Sequence, residues 1–131
     1  MGRDGDILKK SEDGKMPMVK VTAAVEADKE KKEELALELS ALCARDTGKP
    51  ERYVAVFVET GAAAAFGGEL ENAAFVEARG IGGMSPDVVG KLSSDICSVI
   101  ESALGISGDK VYINFMDVPA SMWGWNGSTF G

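Results

Sequence analysis

A chain of 131 residues has room for one domain with a sizeable hydrophobic core but is small for two. Apolar residues make up 45% of it and charged residues 27%, which is typical of a globular domain rather than a disordered chain. The net charge of −7 arises from acidic residues spread along the chain, which argues against a surface for nucleic acid or for anionic membranes.

The residue types that are absent narrow the chemistry further. The chain has no histidine, which removes the commonest general base and the commonest metal ligand together. Its two cysteines, Cys43 and Cys97, lie far apart and outside any CxxC spacing, so neither a zinc site nor a dithiol motif is available. Both fall within helical patterns, and we predict that they are small, buried and reduced.

The first 15 residues, MGRDGDILKKSEDGK, are predicted to lie outside the folded domain. They hold four acidic and four basic residues with almost nothing to bury, and they lack the apolar middle of a signal peptide. A disordered extension, a cloning remnant and an over-called start site all fit this composition. The domain itself is predicted over residues 16–131, in the cytoplasm or exported by a route that needs no signal peptide.

The first half of the domain is predicted as strand, helix, strand. Alternating apolar residues predict a strand over residues 18–24. A helix follows, with Asp28 as its N-cap, and Gly48 and Pro50 end it. Its apolar stripe recurs at helical spacing in Leu35, Leu39, Leu42 and Cys43. The β-branched and aromatic run at residues 53–59 is apolar on both faces, which predicts a strand that is covered on both sides.

The second half repeats this order after a loop at residues 60–69. Residues 73–79 are predicted as the third strand and residues 110–118 as the fourth. Between them runs a second helix, with Ser85 as its N-cap and Pro86 at its first position. Its stripe is formed by Val88, Val89, Leu92, Ile96, Val99, Ile100 and Ala103.

These elements predict an α/β (α+β) fold built from two pseudo-repeated βαβ units. The segments GKPERYVAVFVE and SGDKVYINFMDV each follow a helix and begin a strand at a similar point, which indicates an internal repeat. Each crossover is expected to be right-handed with parallel strands inside the unit. Two helices cover only one face of a four-stranded sheet, so the other apolar face is expected to be covered by a partner subunit.

The tail of the chain is rich in aromatic residues and ends in a predicted hairpin at Asn126-Gly127. Five of the nine aromatic residues fall within nineteen positions, namely Tyr112, Phe115, Trp123, Trp125 and Phe130. Core packing is the default interpretation of such a cluster, and a ligand pocket with aromatic walls is the alternative. The motif GIGG at residues 80–83 lacks the third glycine of a dinucleotide-binding loop, because position 85 is serine.

Pro17 is the remaining candidate. Inside a longer chain its nitrogen belongs to an amide and has no usable lone pair. At the start of a chain the same nitrogen is a secondary amine, which can accept and return a proton. The state of this one atom therefore decides which chemistry is open to a protein without histidine.

Several separated segments resemble the macrophage migration inhibitory factor and D-dopachrome tautomerase family: MPMVKV, TGKPERYVAV, AFGG, SGDKVYINF and GWNGSTFG. The resemblance runs in one register from Met16 to Gly131, and the tail and Gly80–Gly83 look closest to plant and algal members. It implies the tautomerase/MIF-like fold, a four-stranded mixed sheet with two helices on one face. It also implies a homotrimer whose three sheets enclose a central barrel, with active sites between subunits and no metal or organic cofactor.

The same resemblance implies a role for individual residues. Pro17 would be the base, and its amine, buried beside a cationic lysine, would have a pKa below the value of about 8 that is usual for an α-amine. Lys49 would bind the carboxylate of an aromatic 2-oxo acid, assisted by the backbone N–H of Ile81. Tyr112 and Asn114 of the neighbouring subunit would wall the pocket.

Four further residues complete the implied site. Met18 would pack beside the base, while Trp125 and Phe130 would form an aromatic rim. Trp123 is bulkier than the aliphatic residue usual in the family, so it would narrow the pocket and shift substrate preference. The expected reaction is keto-enol tautomerisation of arylpyruvates such as phenylpyruvate, or isomerisation of dopachrome-like compounds.

Other interpretations stay open at this point. Lys49 is also explained as a positive charge at a helix C-terminus, and Tyr112 as an ordinary strand residue. The rival function is a cytokine-like or protein-binding module, with a protein receptor, that keeps the fold and the pocket without a working base. A scaffold with a vestigial site is a third interpretation. The CxxC segment of the animal cytokines is replaced here by AAFV, so no thiol-redox activity is expected.

Overall fold

The computed structural model describes the backbone of residues 15–131, so the predictions for residues 1–14 lie outside the described residues. Two long helices and eight strands follow in the order β1, α1, β2, β3, β4, β5, α2, β6, β7, β8. The helices are α1 (Lys29–Thr47) and α2 (Pro86–Leu104). The strands are β1 (Lys15–Ala23), β2 (Ala55–Glu59), β3 (Ala65–Phe66), β4 (Glu69–Leu70), β5 (Ala74–Ile81), β6 (Val111–Asp117), β7 (Gly124–Trp125) and β8 (Ser128–Thr129).

The helix ends are set by the residues that the sequence indicated. The side chain of Asp28 accepts a hydrogen bond from the backbone N–H of Lys31, and Ser85 caps α2 in the same way. Gly48 ends α1 with φ at 72°, a left-handed conformation that glycine adopts without steric cost. Capping satisfies backbone groups that would otherwise lack partners, which is why these boundaries could be located from the sequence.

Four strands form one mixed sheet in the order β2-β1-β5-β6. The pairs β1–β2 and β5–β6 are parallel, and β1–β5, which joins the two βαβ units, is antiparallel. The predicted doubled unit and its parallel pairs are therefore confirmed. Strand β2 begins two residues later than predicted, because residues 51–53 form a short 3-10 turn after Pro50.

The predicted loop at residues 60–69 contains a short hairpin that the sequence analysis missed. Its strands β3 and β4 are two residues each, too short to show an alternating pattern. Gly67 and Gly68 both have positive φ, 64° and 85°, which is the backbone that a tight two-residue hairpin turn requires. The Gly-Gly pair was thus the available signal. The second hairpin, β7–β8, turns at Asn126 and Gly127 as predicted.

Both long helices pack on the same face of the sheet and bury the main core there. The helices contribute Leu35, Leu39, Leu42 and Cys43 from α1, with Leu92, Ile96 and Ile100 from α2. The sheet contributes alternate residues, among them Val19, Val21, Val76 and Ala78. Cys43 is buried and Cys97 half-buried, and both are free thiols. Within the described residues, neither helix is long and apolar enough to cross a membrane.

The opposite face of the sheet carries large apolar side chains that nothing in the described part of the chain covers. Phe57 is 55% exposed, Phe75 45%, Tyr112 66% and Met116 45%. We call these four residues the open-face cluster. On the same face Lys20, Glu77 and Arg79 lie between these residues, so the exposed apolar side chains are interspersed with charged ones. This chain leaves one face of its sheet uncovered, as predicted, but that face is apolar only in part.

The carboxylate of Asp46, between the helices, is buried with one oxygen that lacks a hydrogen bond within the described chain. The Asp46 side chain is fully buried, its Oδ1 lies 3.2 Å from Arg45 Nε, and its Oδ2 has no hydrogen-bond partner among the described residues. Burial, and then the neighbouring carboxyl of Asp95, raise the pKa of Asp46, whereas the hydrogen bond from Asp46 lowers the pKa of Asp95. Ionised Asp46 therefore costs stability, and the cost appears as pH rises through its ordinary pKa of 3.8.

We expect Asp46→Asn to stabilise the protein at pH 7 by about 1 kcal/mol, because the amide removes a buried charge and its NH₂ group is able to donate to Asp95. The gain ought to vanish below the ordinary pKa of 3.8, where Asp46 is protonated in both the folded and the unfolded state. Urea unfolding of both proteins from pH 3 to pH 8 measures this. A destabilised variant at pH 7 would contradict the prediction.

Candidate active site

Pro17 lies near the start of β1 with its ring fully buried on the helix-covered face. The β1–β5 ladder pairs Met18 with Arg79 and Lys15 with Ile81, so the register shifts by one residue between these pairs. Pro17 falls in that irregular stretch, as Gly80 does on the facing strand. A proline has no N–H to give to a ladder, and an irregularity is where a strand tolerates one. In the full chain Met16 precedes it, so its nitrogen belongs to a peptide bond.

Lys49 reaches the same place from the end of α1. It follows the C-cap Gly48 directly, its side chain is 3% exposed, and its Nζ donates a hydrogen bond of 3.2 Å to the carbonyl oxygen of Gly82. A Cβ built on Gly80 would lie 2.9 Å from that Nζ. Gly80 and Pro17 share the irregular stretch of two neighbouring strands, which are about 4.8 Å apart, so the ammonium lies in the part of the sheet that holds Pro17.

The charge of Lys49 affects the pKa of the buried Cys43 thiol. Burial raises the pKa of the Cys43 thiol to about 11, and the Lys49 charge opposes this shift while Asp46 adds to it. Cys43 therefore stays protonated and is unreactive. Burying an ammonium is costly without partners, so its position between the end of α1 and the Gly82 carbonyl has a physical reason. Its place just after the C-cap also agrees with the interpretation of Lys49 as a positive charge at a helix C-terminus.

The loop after β5 forms the wall next to the ammonium. Gly82 and Gly83 have φ angles of 70° and 73°, a conformation that other residues adopt only with strain. The carboxylate Oδ1 of Asp117, at the end of β6, accepts a hydrogen bond of 2.7 Å from the Gly82 N–H. Val118 donates a further backbone hydrogen bond of 2.8 Å to Gly80.

The C-terminal aromatics gather on the other side of this loop. Phe130 and Ile81, each 5% exposed, form a second small core with Tyr53, Ala120 and Trp123 packed against it. Trp125 stacks on Phe130 with ring centroids 5.8 Å apart and an interplanar angle of 16°. Trp125 remains 50% exposed. The structure thus brings Ile81, Trp123 and Phe130 together, with Trp125 at the outer edge.

Tyr112 and Asn114 lie at a distance from Pro17 within one chain. The ladder sets Tyr112 beside Phe75, which pairs with Thr22 on β1, five residues from Pro17. Strand geometry puts Tyr112 ~19 Å from Pro17 and Asn114 ~14 Å away. Tyr112 instead packs on the ring of Phe66, with centroids 5.1 Å apart. A second subunit would have to supply both residues to a site at Pro17.

Met18 is half-buried and, by strand alternation, lies on the open face rather than with the Pro17 ring.

Two concavities lie at opposite ends of the sheet. One, of about 470 Å³, is lined by residues 81–83 and 117–120 near the ammonium. The other, of about 410 Å³, is lined by residues of the β1, β3 and β5 region together with Tyr112 and Phe66.

Sequence reasoning missed three residues that shape this region: Tyr53, Gly80 and Asp117. Tyr53 carries no pattern that separates it from an ordinary strand residue, although Arg52 lies 4.8 Å above its ring. Gly80 belongs to the GIGG motif, whose spacing bears only on a cofactor loop and does not indicate a neighbouring lysine. Asp117 is the last charged residue of a predicted strand, and its partner, Gly82, lies 35 positions away in the chain.

Comparisons with known proteins agree with this geometry. The family model for macrophage migration inhibitory factor matches residues 16–131. A macrophage migration inhibitory factor homolog of Trichuris trichiura is 40% identical over 91 residues, 70% of this chain and 80% of that protein. The macrophage migration inhibitory factor of Rattus norvegicus is 38% identical over 93 residues, 71% of this chain and 81% of that protein.

Solved structures of macrophage migration inhibitory factor homologues also match this chain. The crystal structure of a macrophage migration inhibitory factor homologue from Prochlorococcus marinus matches with a TM-score of 0.84 and 40% identity, covering 87% of this chain and 99% of that one. The macrophage migration inhibitory factor-like protein from Entamoeba histolytica matches with a TM-score of 0.82 and 32% identity, covering 87% and 98%.

We expect Gly80→Ala to lower the free energy of unfolding by about 1 kcal/mol, because its methyl group would meet Lys49 Nζ and Met84 Cε at 2.9 Å. Both are ends of flexible side chains, so the fold should persist while the ammonium moves off the Gly82 carbonyl. Thermal unfolding and a crystal structure of the variant measure these effects.

Gly90→Ala is the matched control, since a Cβ at Gly90 in α2 meets nothing within 4 Å. It is expected to stabilise the protein by about 0.5–1 kcal/mol through helix propensity. If Gly80→Ala behaved like Gly90→Ala, with Lys49 in place, the packing argument would fail.

Proposed function

Because the chain belongs to the macrophage migration inhibitory factor family, we propose that it is a keto-enol tautomerase of arylpyruvates or dopachrome-like compounds. Family membership supports a MIF-like or tautomerase function in general, and the substrate class and the catalytic proline are the proposal. The observation that supports it is the burial of the Lys49 ammonium against Gly80, in the irregular stretch of the β1–β5 ladder that also holds Pro17. In a chain without histidine, that proline is the one candidate for a base poised near neutrality.

The proposed base is active only when Pro17 is the first residue. Cleavage after Met16 converts a peptide nitrogen into a secondary amine. Burial of the ring and the adjacent Lys49 charge both disfavour the protonated amine, so its pKa is expected below the value of about 8 for ordinary α-amines. Such an amine takes up and gives back a proton readily at neutral pH.

The substrate is proposed to bind through its carboxylate and its ring. Lys49 and the backbone N–H of Ile81 hold the carboxylate, while the ring lies against Phe130 and Trp125, and Trp123 limits the width of the pocket. Pro17 removes the hydroxyl proton of the enol and returns a proton to the neighbouring carbon, giving the keto acid. Negative charge builds up on the substrate oxygen in between, and Lys49 with the Ile81 N–H stabilises it.

A homotrimer is proposed as the working form. The open-face cluster gives each chain an apolar surface that a second copy is suited to cover. Tyr112 and Asn114 lie too far from Pro17 to act in the same chain, so a neighbouring subunit would supply them. Cyclic symmetry would then build one complete site at each interface.

One observation favours a second candidate, a cytokine-like or protein-binding module. In the longer chain the backbone of Lys15 pairs with Ile81, the residue proposed to hold the substrate carboxylate. An unprocessed chain therefore lacks the amine and has a strand residue paired with Ile81. Such a protein would keep the fold and its surfaces, with binding to a protein receptor as its activity.

The first test compares two forms of the wild-type protein, one beginning at Pro17 and one with all 131 residues. We expect the first to tautomerise phenylpyruvate at least ~100-fold faster, because only its proline has a basic nitrogen. Intact mass spectrometry verifies the N-terminus, and Pro17→Gly in the short form ought to lose the activity. Equal rates for the two wild-type forms would refute the proline as base.

A second test addresses the carboxylate. Lys49→Ala is expected to raise KM for phenylpyruvate by roughly tenfold or more, because it removes the ammonium of a charge-assisted pair. Lys29→Ala is the control, since Lys29 is exposed and forms a surface ion pair with Glu33. An unchanged KM in Lys49→Ala would contradict the assignment.

A third test addresses the shared site. Pro17→Gly and Tyr112→Ala chains, each impaired alone, are unfolded together and refolded at equal amounts. If Pro17 and Tyr112 act from different subunits, about a quarter of the sites should combine an intact Pro17 with an intact Tyr112. Recovered activity in the mixture, with sedimentation analysis showing trimers, supports the composite site. A mixture no more active than the two impaired proteins would contradict it.

A further inference from the structure

The glycine loop after β5 presents a positioning problem. The Gly82 carbonyl holds the Lys49 ammonium at 3.2 Å, yet Gly82 and Gly83 are the residues with the greatest conformational freedom in the region. A loop with two consecutive glycines at positive φ has many alternative conformations. The carbonyl keeps its direction only if something outside the loop holds the backbone.

Asp117 fixes the backbone of this loop. Its Oδ1 accepts a hydrogen bond of 2.7 Å from the Gly82 N–H, and a carboxylate acceptor makes this stronger than a bond between neutral groups. The next residue, Val118, donates its own N–H to the Gly80 carbonyl at 2.8 Å. The end of β6 thus fixes the glycine loop at two points, on either side of Ile81.

The two hydrogen bonds of Gly82 connect Asp117 to Lys49. Asp117 fixes the N–H of Gly82, and the carbonyl of the same residue receives the ammonium. Ile81, whose N–H is proposed to assist the substrate carboxylate, lies between the two fixed points. Asp117 itself is exposed and lines the same concavity as residues 81–83, and its hydrogen bond to the loop is with the Gly82 backbone.

We propose that Asp117 is a positioning residue that sets substrate affinity by holding the Gly82 backbone in the conformation that aligns Lys49 and the Ile81 N–H. Its effect falls on the two groups that bind the carboxylate and that also stabilise the charge developing on the substrate. Loss of Asp117 should therefore raise KM for a 2-oxo acid and lower kcat by a smaller factor. The inference rests on the proposed function and adds the residue that organises its anion site.

The test uses the protein beginning at Pro17, with phenylpyruvate and its methyl ester as substrates. For Asp117→Ala we expect KM for the acid to rise roughly tenfold, equivalent to about 1.4 kcal/mol, with kcat within about threefold of wild type. KM for the ester, which has no carboxylate, should stay within about twofold. Asp117→Asn keeps an oxygen acceptor but loses its charge, so a smaller rise of about threefold is expected.

Asp109→Ala and Asp109→Asn are the matched controls. Asp109 is an exposed aspartate in the turn before β6, where it accepts a hydrogen bond from Ser107, so these changes remove the same charge at the far end of the strand. Neither is expected to alter KM for either substrate. Melting temperatures of all four variants show whether any change in KM follows a loss of stability.

Amide hydrogen exchange at Gly82 gives a readout that does not depend on activity. We expect exchange to be at least ~10-fold faster in Asp117→Ala, while amides in the core of β5 stay protected. If this variant does not fold, the exchange rate and KM of Asp117→Asn decide the question. Unchanged exchange at Gly82 would overturn the proposal.

Three kinetic outcomes would also overturn it. Equal rises in KM for Asp117→Ala and Asp117→Asn would mean that the acceptor oxygen retained by asparagine does not hold Gly82. Equal rises in KM for the acid and the ester would indicate a general disturbance of the site, and an unchanged KM for the acid would remove the effect altogether. If the wild type converts neither substrate, the proposed function fails, and exchange at Gly82 still tests the role of Asp117.

Discussion

Two 19-residue helices lie on the same face of one four-stranded sheet, and most features of the protein follow from that placement. The covered face of the strands carries small and β-branched residues, such as Val19, Val21 and Val76, that fit against helices. The other face carries the open-face cluster, which no part of the described chain covers. A single chain therefore buries one face of its sheet and leaves the other exposed.

The residues of the candidate site also do not all lie together within one chain. Pro17, the Lys49 ammonium and the C-terminal aromatic residues lie toward one end of the sheet, while Tyr112 and Asn114 lie toward the other end on the open face. Association through that face is the proposed means of joining the two groups of residues. Under this proposal the apolar surface and the unfinished site have one common explanation.

The buried charges of Lys49 and Asp46 have different surroundings. Lys49 is buried where the end of α1 and the Gly82 carbonyl offer negative potential, and glycine at position 80 leaves room for the ammonium. Asp46 is buried with one oxygen unsatisfied and with Asp95 nearby, an arrangement that costs stability at neutral pH. The first arrangement fits a functional group; we find no functional reason for the second.

Local chemistry let the sequence alone determine the two helices, the four strands of the main sheet and their order. Asp28 and Ser85 cap the starts of helices and Gly48 caps the end of one, each through contacts with nearby residues in the chain. Apolar spacing identifies the buried faces. The uncovered sheet face was also predictable, because it follows from counting helices against strands. Resemblance to a known family, carried by short motifs in the chain, pointed to Pro17, Lys49 and the aromatic tail.

Only the tertiary structure decided how distant residues meet. The contact of Lys49 with Gly82 spans 33 positions and that of Gly82 with Asp117 spans 35, and neither leaves a local pattern in the sequence. The same holds for Asp46 and Asp95, which face each other only because α1 packs on α2. Periodicity reports which side of an element is buried. It carries no information about which partner that side meets, since strand register and helix packing are properties of the whole chain.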